Sequence, residues 1–189
     1  MNEEYKNVNS QIVLPSEAAI YKNLETVVNQ YINSLDNYSD EQFFFKKDAE
    51  TWSLGQMYEH LAVSSQFFFL ANCVRCLEKR KGQLGGDKTH FGEQQFKYGG
   101  FPPVKLKIPD AIRGPEPVAK TQGEYKILLA KILADSQNLI EAVSNDDGSY
   151  KALQVAMGWL DAKEWYYLHE MHYRHHLRQK TALENQVIS

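Results

Sequence analysis

The sequence has little cysteine, little net charge and no long apolar run, and each shortage excludes a class of protein. Two cysteines among 189 residues cannot form the disulfide framework of a small secreted protein. A formal net charge of −3 provides no electrostatic footprint for nucleic acid or for an anionic membrane. The longest apolar cluster, Phe67 to Val74, is interrupted by Asn72 and is too short to span a bilayer.

The opening of the chain has no basic segment followed by an apolar run, so it does not predict a signal peptide. We therefore expect a soluble, cytoplasmic protein with no nucleic-acid or membrane partner. Hydrophobic residues make up 43% of the chain and charged residues 24%, which is ordinary for a globular domain. A length of 189 residues suits one sizeable core. The prediction is a single domain over residues 1–189, in which residues 1–14 form a flexible lead-in.

Apolar residues recur at spacings of three and four in four segments, which is typical of amphipathic helices. The predicted helices cover roughly residues 16–35, 54–80, 122–143 and 161–183. No strand-like alternation, hairpin turn or internal repeat accompanies them, so residues 150–160 are predicted to be a loop or short turn. Four long helices in one domain predict an all-α four-helix bundle.

Two helix starts carry specific capping signals. Ser53 and Gln56 have the spacing of a capping box, and Trp52 is placed to pack against the first turn as a hydrophobic staple. Asp161 and Glu164 form a similar pair at the start of the last helix. These signals locate the beginnings of the second and fourth helices.

The connection between the second and third helices is long and has its own composition. Residues 82–123 contain eight of the eleven glycines and five of the six prolines, but their aromatic residues argue against a disordered linker. We predict an ordered crossover that covers one end of a pocket and lets helices two and three run parallel. A packing loop with no role in chemistry is the alternative. His90, which lies in this connection, is predicted to be on the surface.

Four of the six histidines lie close together near the end of the chain, at positions 169, 172, 175 and 176. His172 and His176 are four residues apart and so lie about 40° from each other around a helix, on its core-facing stripe. Buried imidazoles need partners for their ring nitrogens, and a divalent metal ion would satisfy two that face the same way. The pair therefore predicts part of a metal site.

A third ligand must come from another helix, since catalytic zinc sites have three protein ligands and one open position. The inward stripe predicted for the second helix contains His60, Ser64 and Phe68. His60 is thus the other histidine predicted to face the core, although a lone inward histidine is more often a hydrogen-bonded core residue. Alternative sites pair His172 with His169 or His175, three residues away on either side. Cys73 and Cys76 are excluded from this site, because Cys73 lies about 20 Å along the helix from His60.

Two motifs, in this order, resemble those of the DinB/YfiT-like metalloenzymes. Trp52-Ser-Leu-Gly-Gln-Met-Tyr-Glu-His60-Leu resembles the family's tryptophan–serine helix start, whose histidine is the first ligand. His172-Tyr-Arg-His-His176-Leu-Arg-Gln179 resembles its terminal His-x₃-His-x₂-Gln motif, which supplies two more ligands. The resemblance implies helices arranged up-down-down-up and a site for zinc or nickel formed by His60, His172 and His176. It also implies a ground plan shared with thiol-dependent transferases and isomerases, in a family where homodimers are common.

A metal with an open position can lower the pKa of bound water or bind a thiol as thiolate. The first hypothesis is therefore a metal-dependent transferase or hydrolase that acts on a small molecule, with a low-molecular-weight thiol as cosubstrate. The second is a non-catalytic, metal-stabilised bundle that binds a ligand or forms a homodimer. No general base is identifiable. Candidates for the pocket wall or for contacts behind the ligands, which could equally be part of a solvated polar rim, are Gln56, Ser64, His169, His175 and Gln179.

Overall fold

The computed structural model describes residues 12–102 and 116–187 and shows a mostly helical protein with a small three-stranded sheet. The helices are α1 (Glu17–Ser34), α2 (Asp40–Phe44), α3 (Leu54–Ser64), α4 (Leu70–Leu77), α5 (His90–Tyr98), α6 (Gln122–Ser144) and α7 (Ala162–Val187). The strands are β1 (Gln83–Leu84), β2 (Tyr150–Gln154) and β3 (Gly158–Leu160). A 3₁₀ turn, Leu35–Asn37, follows α1.

The predicted helix starts are confirmed by their hydrogen bonds. Ser16 accepts a bond from the Ala19 amide at the start of α1. At the start of α3 the Ser53 hydroxyl accepts from the Gln56 amide, and the Gln56 side chain accepts from the Ser53 amide. Asp161 and Glu164 make the same reciprocal pair before α7. Each pair satisfies two backbone donors that have no partner within the helix.

A π-helical turn, Ser65–Phe69, joins α3 to α4. In an uninterrupted α-helix, Phe69 would lie nine residues and about 900° beyond His60, on the opposite side. The wider turn changes this register, so Phe69 is 4% exposed and faces α7, whereas Phe68, which the sequence predicts to face inward, is 40% exposed. Turns of this kind often occur at functional sites.

The long helices enclose two apolar clusters. α1 packs against α6 and α7, α3 packs against the same two helices, and α4 packs against α7. One cluster is centred on the edge-to-face rings of Tyr31, Tyr58 and Tyr173, and the other surrounds Trp165. Full burial of each large apolar side chain contributes about 1.5–3 kcal/mol to folding.

The second cluster also contains Cys73 and Cys76, which are free and completely buried. Burial raises the pKa of the Cys76 thiol to about 12 and that of Cys73 further. Neither side chain is a thiolate at neutral pH, so both act as small apolar packing residues.

The small sheet corrects the expectation that the chain contains no strands. The segment 150–160, predicted to be a loop or short turn, is an antiparallel hairpin in which Ala152 pairs with Leu160, and β1 pairs with the outer side of β2. Gly158 has φ +87°, and a Cβ there would lie 2.5 Å from the Asp87 carbonyl oxygen. The crossover therefore packs directly against the hairpin backbone.

The long crossover has ordered structure on both sides of residues 103–115, which lie outside the described part of the chain. α5 lies in its first half, and Glu116 to Lys120 run along α3 in its second half. Gln56 donates hydrogen bonds to the Glu116 side chain and the Pro117 carbonyl, at 2.8 and 3.1 Å. A Cβ at Gly55 would lie 2.7 Å from the Ala119 Cβ, so the segment needs a glycine at this position.

Two further predictions concern the start of the chain and membrane spans. Residues 1–11 of the predicted lead-in lie outside the described residues, while Ile12 and Leu14 are partly buried against the Trp165 cluster. Within residues 12–102 and 116–187, no helix is long and apolar enough to cross a membrane.

Candidate metal centre

The structure brings together His60 from α3 with His172 and His176 from α7. The Nε2 atom of His172 lies 3.1 Å from the Nε2 of His60 and 3.1 Å from the Nε2 of His176. The three candidate ligand atoms lie within 4.8 Å of one another. Among the described residues, no carboxylate or thiol lies close enough to be a fourth ligand. The capped start of α3 and the four-residue spacing on α7 position these rings.

The two 3.1 Å separations, both measured from His172, fit ligands of one metal ion. Two nitrogens that each lie about 2.0–2.1 Å from one ion are about 2.9 Å apart at a right angle and about 3.3 Å apart at the tetrahedral angle. The observed 3.1 Å falls between these values. Three imidazoles leave part of the coordination sphere to other ligands, as in catalytic sites.

The three imidazoles are also in the protonation state that a metal requires. Burial lowers the pKa of His60 to about 4 and that of His176 to about 3, from an ordinary value of 6.5. Burial, reinforced by His176 and His60, places the pKa of His172 well below its ordinary value. All three rings are therefore neutral at neutral pH and can offer lone pairs to a cation.

Gln179 orients one of the three rings. Its Oε1 lies 2.6 Å from the Nδ1 of His176 and accepts a hydrogen bond from it. With the proton on Nδ1, the lone pair of His176 lies on Nε2 and points at the other two histidines. Metal-binding histidines usually have such a partner on the second nitrogen, which holds the tautomer and the ring direction.

Aromatic rings surround the histidines. Trp52 lies 5.2 Å from His60 between ring centroids, and Phe69 lies 4.7 Å from His172. The sequence placed Trp52 beside α3 as a staple but did not assign it to the site. It contains no signal for Phe69, because the π-helical turn that directs this ring toward His172 does not follow the helical period.

His169 faces the interior but lies outside the metal cluster. It is completely buried between Phe69 and Tyr173, and neither ring nitrogen has a hydrogen-bond partner among the described residues. Burial lowers its pKa to about 3, so the ring is neutral. The Nδ1 of His172 likewise has no partner within the described chain.

The other residues predicted to border the site have different positions. His175 is half-buried, and its ring contacts those of His176 and Phe101, both at 5.2 Å. The hydrogen bonds of Gln56 go to Ser53 and to the returning crossover, so it ties the crossover to α3. Ser64 is half-buried at the last position of α3.

Comparison with known proteins agrees with this architecture. A family model described as the DinB superfamily matches residues 23–179, a range that includes all three clustered histidines and Gln179. No curated protein and no solved structure gives a significant match. Because the family model covers most of the sequence, the chain belongs to the DinB superfamily.

Proposed function

We propose that the protein is a metal-dependent enzyme of the transferase or hydrolase type, with His60, His172 and His176 as the metal ligands. The observation that carries this proposal is the convergence of three neutral imidazole nitrogens, supplied by two helices. Zinc and nickel are the preferred ions, since both accept imidazole ligands. The substrate is a small molecule, and a low-molecular-weight thiol is the expected cosubstrate.

The residues around this site would have distinct roles. The three histidines would hold the ion, and Gln179, which accepts a hydrogen bond from the Nδ1 of His176, would keep that proton directed away from it. Phe69 would exclude water from the inner side of the cluster, and Trp52 would border His60 on the half-buried side. A bound divalent ion would supply Lewis acidity, which activates a nucleophile and stabilises negative charge on a substrate.

We also propose the finer organisation that the family resemblance implies. α1, the continuous unit α3–α4, α6 and α7 would form a four-helix bundle with up-down-down-up order, in a single domain. Their mutual packing and the long second connection support this arrangement. A cytoplasmic homodimer is the expected state of the protein.

Elemental analysis of the purified protein, followed by a screen of thiol cosubstrates, tests the function. We expect close to one equivalent of a divalent transition metal per chain and metal-dependent turnover with a thiol. His176→Ala should lose both the metal and the turnover, whereas His90→Ala, which changes an exposed histidine on α5, should lose neither.

The same variants separate catalysis from a purely structural role of the metal. Loss of metal from His176→Ala with an unchanged melting temperature would exclude a structural metal. If chelation unfolds the chain and the metal-loaded protein turns over no thiol or ester substrate, the enzyme proposal is wrong and a metal-stabilised bundle remains.

A further inference from the structure

The surroundings of the three histidines indicate which ligands the centre prefers. We propose that it selects small anions that carry a flat apolar group, with the anionic end at the metal and the flat group against a half-buried row of aromatic rings. This inference rests on the proposed function, since it assumes a divalent ion at the histidines.

The first argument is the direction of approach. His172 is 9% exposed, and Phe69 and His169 are 4% and 0% exposed, so these side chains form a closed floor. His60 and His176 are half-buried and form the open side. A ligand must therefore arrive across His60 and His176.

The second argument is the shape of that open side. Successive ring contacts join Trp52 to His60, His60 to His176, His176 to His175 and His175 to Phe101. The ring centroids are 4.8–5.2 Å apart, and all five side chains are half-buried. We call this set the aromatic row. A flat apolar group that lies against it removes apolar surface from water on both partners.

The third argument is charge. No carboxylate or thiol of the described residues joins the cluster, so three neutral imidazoles leave the double charge of a divalent ion uncompensated. Burial is the main cause of the lowered pKa values of His60, His172 and His176, and the neighbours that also affect these values are other histidines and Gln179, with no carboxylate among them. The charged group beside His175 is the cation Arg178. Anions are favoured there and cations are disfavoured.

Ligand titration of the cobalt(II)-substituted protein tests the proposal, because the visible spectrum of cobalt reports on its ligands without any need for turnover. Benzoate and acetate have the same anionic group and differ in the flat apolar part. We expect benzoate to bind about tenfold more tightly than acetate. Benzyltrimethylammonium, which has the flat group but the opposite charge, should not weaken benzoate binding at equal concentration.

Variants at the two ends of the aromatic row locate the preference. Because a benzoate anchored at the metal can lie toward only one end, either Trp52→Leu or Phe101→Ala should weaken benzoate binding severalfold and leave acetate binding unchanged, and loss in neither variant would overturn the role of the row. Phe67→Ala is the matched control, since Phe67 is 70% exposed and its ring contacts none of the five rings of the row. Circular dichroism identifies any variant that fails to fold, and the comparison of the two anions in the unaltered protein needs no variant.

The outcomes separate this inference from the proposed function. Equal affinities for benzoate and acetate, or competition by the cation, would overturn the preference while leaving the metal centre intact. If cobalt binds stoichiometrically but no anion changes its spectrum, the open metal position on which the proposed function rests is disproved together with the preference.

Discussion

The two ends of the histidine stripe on α7 have opposite surroundings. His169 and His176 are seven residues apart, so on a helix they point within about 20° of each other. Both ring nitrogens of His176 lie beside polar atoms, since the Nε2 of His172 lies 3.1 Å from its Nε2 and the Oε1 of Gln179 lies 2.6 Å from its Nδ1. His169 is more deeply buried, yet both of its nitrogens lack partners among the described residues.

The difference between His169 and His176 shows why only one part of this face of α7 forms a metal site. Burial lowers the pKa of both histidines to about 3, so neither burial nor neutrality distinguishes them. The helix opposite distinguishes them, because α3 presents His60 to His172 and His176, whereas the π-helical turn after α3 presents the ring of Phe69 to His169. Convergence of side chains from two elements creates the metal site.

The largest effect is expected from removal of the residue at the centre of the cluster. His172→Ala leaves two imidazoles and should weaken zinc binding by more than about 100-fold, beyond the 10–100-fold typical of residues behind the ligands. Competition with a chromophoric chelator measures the affinity. Retention of wild-type affinity in His172→Ala would show that the convergence of the three rings is not the basis of metal binding.

A smaller effect is expected from the residue that orients His176. Gln179→Leu removes the acceptor for the Nδ1 proton and should weaken zinc binding about tenfold. Gln179→Glu keeps an acceptor and should restore affinity to at least the wild-type value. Equal losses in both variants, measured by the same chelator competition, would indicate that the position matters for packing and not for the hydrogen bond.

Replacement of the unpartnered histidine should stabilise the metal-free protein. His169→Leu removes two buried ring nitrogens without partners, and we expect the free energy of unfolding to rise by about 1 kcal/mol. Urea unfolding of the metal-free protein measures this change, and zinc affinity should stay within about threefold of wild type. The control is His169→Gln, which keeps a polar side chain and should not raise the free energy of unfolding. A loss of stability in His169→Leu would instead indicate that His169 has a polar partner.

The smallest change is expected from acidification between pH 7 and 5. Burial keeps the pKa of His60 at about 4 and that of His176 at about 3, so protons compete with the metal in the folded protein only below about pH 4. Zinc affinity should therefore change less than about twofold. If the imidazoles had the ordinary pKa of about 6.5, protonation of each one would lower the zinc affinity about thirtyfold at pH 5. Zinc titrations at pH 7, 6 and 5 distinguish lowered histidine pKa values from ordinary ones.

In the same pH range, the free energy of unfolding of the metal-free protein should depend on pH, because the pKa values of its buried histidines are lowered. The folded pKa values lie below the unfolded value, so the unfolded chain binds more protons between about pH 6.5 and 4. The contribution of these two histidines to stability is fully present above about pH 6.5 and is lost as the pH decreases through this window, while Asp161, whose pKa burial raises to about 6, contributes in the opposite direction. Urea unfolding of the metal-free wild type and of His176→Ala across this window isolates the histidine contribution, and an identical pH dependence in the two proteins would contradict the assigned shift of His176.

Local features of the sequence predicted much of the framework. Caps act between residues three apart, so Ser53 with Gln56 and Asp161 with Glu164 could be identified before the fold was known. Helical period placed His172 and His176 on one face of α7. The same period placed His60 on the inward stripe of the second helix, the family motifs supported it as the third ligand, and the structure brings these three residues together.

Other features depend on contacts between distant segments and left no periodic signal. β1 and β2 pair although about 65 residues separate them, and strands of two to five residues are too short to show alternation. The inward direction of Phe69 depends on a π-helical turn that departs from the 3.6-residue period, so the sequence predicted Phe68 in its place.

By itself, the sequence determined the mostly helical framework, the starts of its main helices and the histidine stripe on α7, because backbone hydrogen bonding and side-chain spacing act over a few residues. Tertiary structure alone decided which part of that stripe forms the candidate metal centre. His169 and His176 have nearly the same direction on α7, and packing against α3 and its π-helical turn places the ring of His60 beside His176 and the ring of Phe69 beside His169.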